Sequence, residues 1–95
     1  MIGKYVIVRS VNAGCFAGTL KEENSDQVIL TKCRRLWYWS GAASLSQLAV
    51  DGTKKPDECK FPIETLEHKI KGVIEIIVVS EMAEKSIKEV PVWEM

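Results

Sequence analysis

Three short runs of β-branched and aromatic residues, each closed by polar turn residues, commit the first third of this chain to an antiparallel meander. Tyr5-Val6-Ile7-Val8 is followed by the turn signal Asn12-Ala13-Gly14 and then by Cys15-Phe16-Ala17-Gly18-Thr19-Leu20, which predicts two paired strands. Glu23-Asn24-Ser25-Asp26 is a second polar turn, and Gln27-Val28-Ile29-Leu30-Thr31 opens a third strand that reads as running on to Trp39. Connections this short do not allow the crossovers that a parallel sheet needs.

Beyond the meander the periodicity changes. Ser40-Gly41 breaks the strand, and Ser44-Leu45-Ser46-Gln47 matches a capping box, so a short helix follows with Leu45, Leu48 and Ala49 on one face and Gly52 as its left-handed terminator. Residues 53–60, with Pro56, read as an exposed loop. Phe61 to Leu66 is a weaker strand candidate whose Pro62 favours an edge, and Gly72 to Val79 is a strong one. Apolar side chains alternate onto both faces of that last strand, which places it either centrally beneath a helix or between subunits. Ser80 caps a final helix with Glu81 and Glu84 early and Lys85 and Lys88 late, complementing the helix dipole, and Pro91 ends it. Ala83, Ile87 and Val90 make its packing stripe, and Val92-Trp93 forms an apolar tail. The expected fold class is α+β, a mostly antiparallel sheet or small barrel of about five strands with two short helices, in a single domain over residues 1–95.

A chain of 95 residues supports a core of modest size, so a homo-oligomer is expected. The 13 basic side chains balance the 13 acidic ones, which removes any global field toward nucleic acid or an anionic membrane. The balance hides a skew: residues 1–40 carry six basic and three acidic side chains, the remainder seven and ten. Cys15, Cys33 and Cys59 are an odd set at irregular spacing with no Cys-x-x-Cys, which argues against a disulfide framework or a zinc site and for reduced thiols. No apolar run approaches a membrane span, and Met1-Ile2-Gly3-Lys4-Tyr5 lacks the basic and apolar blocks of a signal peptide, so a cytoplasmic location is expected.

Chemistry concentrates in Arg34-Arg35-Leu36-Trp37-Tyr38-Trp39-Ser40-Gly41. Aromatic faces beside fixed cations suit a planar anion: the rings stack on a base while arginine forks onto phosphate oxygens. An extended chain alternates Arg35, Trp37 and Trp39 against Arg34, Leu36 and Tyr38, so one arginine and one aromatic share an accessible face. The competing reading makes Trp37 and Trp39 core anchors and leaves both arginines solvated or salt-bridged. Ser40, Gly41, Ser44 and Gln47 add small residues and helix-start N–H groups of the kind that approach phosphates, although a strand-to-helix connection needs the same residues for itself. His68 is the only histidine and lies among Glu67, Lys69 and Lys71, reading as a solvated residue. No nucleophile elbow, phosphate loop or paired carboxylate motif is present, so neither an enzyme nor a cofactor is expected.

Val6 to Arg35 is similar to the first half of an Sm-like small barrel, a fold of strands on a bent sheet that often assembles into nucleic-acid-binding rings. Nearly the whole chain also resembles a family of small phage- and prophage-encoded proteins marked by Arg-Arg-Leu-Trp-Tyr-Trp, then Gly41-Ala42-Ala43-Ser44-Leu45-Ser46-Gln47-Leu48, and a terminal Val90-Pro91-Val92-Trp93. That resemblance implies a phage setting, in which small oligomeric proteins act against host defence and some sequester nucleotide immune signals.

Together these features suggest a non-enzymatic oligomer holding a small nucleotide-derived ligand near a subunit interface. Arg34 and Arg35 would hold phosphates, Trp37, Tyr38 or Trp39 would stack on the base, and Ser40, Gly41, Ser44 and Gln47 would add hydrogen bonds. The alternatives are a single-stranded nucleic-acid binder and a protein-interaction module that inhibits a host defence enzyme.

Overall fold

The computed structural model describes residues 1–95. The meander forms as its turns dictate: β1 (Tyr5–Ser10), β2 (Gly14–Glu23) and β3 (Gln27–Arg35) pair antiparallel in sequence order. Helix α1 (Leu45–Asp51) and a 3-10 turn (Pro56–Glu58) follow, then β4 (Thr65–Lys71), β5 (Val73–Val78) and helix α2 (Glu81–Glu89). The five strands make one antiparallel sheet in the order β4-β3-β2-β1-β5. The fold is α+β as expected, but the sheet is open and not closed into a barrel, and β4 and β5 are its two edges.

Both faces of β1 are buried, so the sheet carries two cores. Tyr5, Ile7 and Ala17 face the helices and pack with Leu48, Ala49, Phe61, Ala83 and Ile87. Val6 and Val8 face the other way and pack with Phe16, Leu20, Val28, Leu30, Cys33 and Ile70, all supplied by strands. A face without helices stays dry only if the sheet bends over itself. The β2–β3 register slips between Ala17 and Thr19 and again between Leu20 and Glu22, and such irregularities bend strands. Gly18 sits at the first slip, where an added Cβ would lie 3.0 Å from the Thr31 carbonyl oxygen, so a side chain there has to push the facing β3 backbone aside.

Both helices are capped as the sequence indicates. Ser44 Oγ accepts from the Gln47 N–H at 3.1 Å, and Ser80 Oγ accepts from the Ala83 N–H at 3.0 Å. Gln47 returns its bond one residue early, Oε1 accepting from Ala43 N–H at 2.7 Å. Gly52, at φ 74°, ends α1 with its N–H on the Leu48 carbonyl.

Two strand boundaries and one strand position differ from the sequence reading. The third strand stops at Arg35, because β2 begins at Gly14 and offers no partner beyond the Leu36 N–H bond to Cys15. Tyr38 pairs instead with Lys60. The fourth strand starts at Thr65 and runs through His68 to Lys71. Phe61 makes only a parallel bridge to Val92, and Pro62, which has no N–H, follows it. The last strand is an edge strand: it pairs only with β1, and Ile74 and Val78 stand exposed. No helix is long and apolar enough to cross a membrane.

Candidate anion-binding site

The two consecutive arginines at the end of β3 point to opposite faces and have different roles. Arg34 is 3% exposed and faces the helices. Its five N–H donors meet five backbone carbonyls: Nε to Pro62 at 3.2 Å, Nη1 to Ile87 at 2.9 Å and Val90 at 2.8 Å, and Nη2 to Phe61 at 2.7 Å and Pro91 at 3.5 Å. The last turn of a helix leaves carbonyls without donors, and Arg34 supplies them at the end of α2. Its guanidinium carbon also lies 5.5 Å from the centre of the Phe61 ring. Burial lowers its pKa, but a guanidinium remains charged, and with every donor occupied it has none left for a phosphate. The expectation that Arg34 holds a ligand is corrected by this geometry.

Arg35 faces the strand-built core. Its Nη1 donates to the Ala13 carbonyl at 2.9 Å and its guanidinium carbon lies 4.5 Å from the Phe16 ring centre. There it borders a cleft of about 380 Å³, between the β1–β2 turn and β4, lined by Asn12, Ala13, Phe16, Arg35, His68, Lys69, Ile70, Lys71 and Gly72. Its charged lining residues, Arg35, Lys69 and Lys71, are all basic, and no carboxylate joins them. The three ion pairs of the molecule, Arg9–Glu75, Lys21–Glu67 and Lys88–Glu84, use none of these cations. Alternation along β4 turns Lys69 and Lys71 to the face opposite His68 and Ile70, and Lys69 also lines a separate hollow with Glu22, so Arg35 is the cation on the cleft's own face. A hollow of about 430 Å³ along α2 is larger but is lined by charges of both signs, Glu81, Glu84, Lys85, Lys88 and Glu89.

His68 joins the cleft because β4 pairs with β3 in a register that sets it opposite Leu30, on the face that carries Phe16. Its ring centre lies 5.2 Å from that of Phe16, and Nδ1 lies 3.1 Å from Thr65 Oγ1. Burial, and then the Arg35 charge, push its pKa below the ordinary value, so the ring is neutral at neutral pH. The sequence reading left His68, Lys69 and Lys71 out of the site. The one available signal was three basic residues clustered around a strand end more than 30 positions from Arg35.

The remaining expected site residues divide by what already occupies them. The Ser40 carbonyl accepts from Thr53 Oγ1, and a Cβ on Gly41, at φ 84°, would meet the Lys55 nitrogen at 2.5 Å. The chain's own loop therefore fills the space a ligand would need at Gly41. Ser44 and Gln47 cap α1, and Trp39 packs against the helix-side core, as the anchor reading expected. Trp37 and Tyr38 are 64% and 51% exposed. Trp37 lies past the end of β3, two residues along the chain from Arg35, and is not among the residues that line the cleft. Tyr38 lies instead across Lys60 from Trp93, with Lys60 Nζ 5.8 Å and 5.6 Å from the two ring centres. Of the nine expected residues, the structure gives only Arg35 to the cleft.

Burial raises the Cys15 and Cys33 thiol pKa values, which makes both poor nucleophiles. No group of three or more His, Cys, Asp or Glu side chains converges. The chain belongs to the DUF6948 family, a domain of unknown function matched over residues 3–87. No curated protein and no solved structure matches it.

Proposed function

For this member of the DUF6948 family we propose a non-enzymatic binding protein that captures a small nucleotide-derived anion in the cleft between the β1–β2 turn and β4. The observation that carries this reading is Arg35, a cation without an ion-pair partner, at the edge of a concavity whose lining holds no carboxylate. Arg35 holds a phosphate, Lys69 and Lys71 add charge, and Trp37 offers an exposed face for a base. The cleft is at the lower end of the size range of small-ligand sites, which fits one nucleotide unit better than a polymer. The open backbone edges of β4 and β5 support a homo-oligomer, since a second copy is a ready partner for an unpaired strand. If the gene is carried by a phage, capture of a nucleotide immune signal in the cytoplasm is the role such a site serves.

The test is native mass spectrometry of purified protein, followed by titration of AMP, a cyclic dinucleotide and pyrophosphate monitored by backbone amide shifts. Shifts confined to Asn12, Ala13, Arg35 and residues 68–72, lost in Arg35→Met and weakened in Trp37→Ala, are expected. No shift with any of the three anions overturns the reading.

A specific observation also supports the protein-interaction reading. Tyr38 and Trp93, half exposed around Lys60, are residue types that dominate protein interfaces. Recovery of one stoichiometric host protein, lost in Trp93→Ala and unaffected by Arg35→Met, separates this activity from anion capture.

A further inference from the structure

With Lys69 and Lys71 turned away, the cleft's own face is lined by two ionisable groups, Arg35 and His68. Both rest on Phe16: the Arg35 guanidinium carbon lies 4.5 Å from that ring centre and the His68 ring centre lies 5.2 Å from it. Arg35 spends one of its five donors, on the Ala13 carbonyl, where Arg34 spends all five. An anion that takes the remaining donors lies beside His68, and a negative charge beside a histidine favours its protonated form.

The contacts of the ring accommodate that form whichever nitrogen carries the proton when the ring is neutral. An imidazolium donates from both nitrogens. Nδ1–H meets Thr65 Oγ1 at 3.1 Å, and the threonine hydroxyl then gives its own proton to the Cys33 carbonyl at 3.3 Å. Nε2 has no protein partner and is not sealed off, because the only buried side-chain polar atom without one is the Tyr5 hydroxyl. Its N–H is therefore free for a ligand.

Without an anion the surroundings oppose protonation. Burial and the Arg35 charge from β3 both act against it, and Cys33, also on β3, is a neutral thiol. Phe16 on β2 and the turn residues Asn12 and Ala13 are uncharged. On β4, Glu67 lies on the opposite face, paired with Lys21 at 2.6 Å, and Lys69 and Lys71 share that face.

Resting on the anion-cleft reading, we propose that His68 is the second anion-holding residue of the cleft and that it binds as the imidazolium, so that each captured anion brings in a proton from solvent. The ligand class is a tetrahedral oxyanion, a phosphate or sulfate group, held by the Arg35 guanidinium and the His68 Nε2–H.

His68 is the only histidine, so its imidazole proton resonance reports its titration alone. The midpoint is measured with and without saturating sulfate, whose own charge does not change near neutral pH, at an ionic strength held constant with chloride. Sulfate is expected to raise the midpoint by about one unit and, by linkage, to bind about tenfold more tightly well below both midpoints than well above them. In Arg35→Met sulfate no longer moves the midpoint, and His68→Gln binds sulfate with the wild type's high-pH affinity at every pH. A midpoint unmoved by saturating sulfate overturns the role of His68 while anion binding stands. Failure of sulfate to bind the wild type even below the midpoint overturns the cleft reading, and this proposal with it. AMP and inorganic phosphate, compared at one pH, distinguish the sources of the oxyanion: tighter binding of AMP supports a nucleotide phosphate, and equal binding overturns the nucleotide in favour of the free ion.

Discussion

Replacing Arg34 with methionine separates the two arginines experimentally. Without the guanidinium, the Ile87 carbonyl keeps its bond from the Val90 N–H at 3.3 Å, and the Phe61 carbonyl keeps one from the Trp93 N–H at 3.0 Å. The Val90 and Pro62 carbonyls lose the hydrogen bonds that Arg34 gave them and have no other. The Pro91 contact, at 3.5 Å, contributes little. Two carbonyls left unpaired at roughly 1–3 kcal/mol each give a loss of roughly 2–6 kcal/mol, partly offset because a buried charge is removed too, so the net is about 3 kcal/mol. For a domain of this size that corresponds to a fall in Tm of roughly 12–24 °C. Urea unfolding followed by circular dichroism measures it. Arg34→Lys keeps the charge but not the planar fork, and is expected between the two. Arg35→Met is the control, since it loses one bond to Ala13 and a contact with Phe16 and should cost about 1 kcal/mol. Arg34→Met within about 1 kcal/mol of wild type, or intact folding with lost anion affinity, would refute the assignment of Arg34 to structure.

Gly41→Ala forces a left-handed residue and a Cβ 2.5 Å from the Lys55 nitrogen, so a loss of about 2–4 kcal/mol in chemical denaturation is expected. Ser80→Ala removes the cap of α2 and also the hydroxyl bond to the Val50 carbonyl at 2.7 Å that ties α2 to the end of α1. The expected loss is about 1–2 kcal/mol, with the amide of Ala83 exchanging faster. Stability should also fall as pH drops. The folded His68 pKa lies below the unfolded value of 6.5, so the unfolded chain takes up the proton first, and the contribution present above 6.5 is lost on acidification through the folded pKa. His68→Gln should remove that component from a series of urea midpoints against pH.

Local chemistry made most of the fold legible. The turn residues, the two serine caps and the glycine terminator of α1 act over four or five positions, and each appears where the sequence puts it. What depended on distant partners was not legible. The third strand is shorter than its residues allow because β2 begins at Gly14, and β4 starts late because Phe61 is held by Val92. Alternation along residues 34–37 correctly separates Arg34 from Arg35. It cannot say which one meets the core, because that is decided by the carbonyls of Ile87 and Val90, more than 50 positions away.

The same reasoning accounts for the position of the cleft. β1 is buried on both faces, so two cores run along the sheet, and β3 borders both where its ladder with β2 runs out near the β1–β2 turn. On the helix side the last turn of α2 arrives at that point with unpaired carbonyls, and a cation there is consumed by structure. On the other side no helix arrives. The bend at Gly18 brings the strands into a core of their own, which ends at Phe16 and Ile70 and leaves the outermost cation, Arg35, facing a gap bordered by β4. The opposite fates of two adjacent arginines therefore follow from which core has a helix over it, and the unpaired charge is a consequence of the sheet being open.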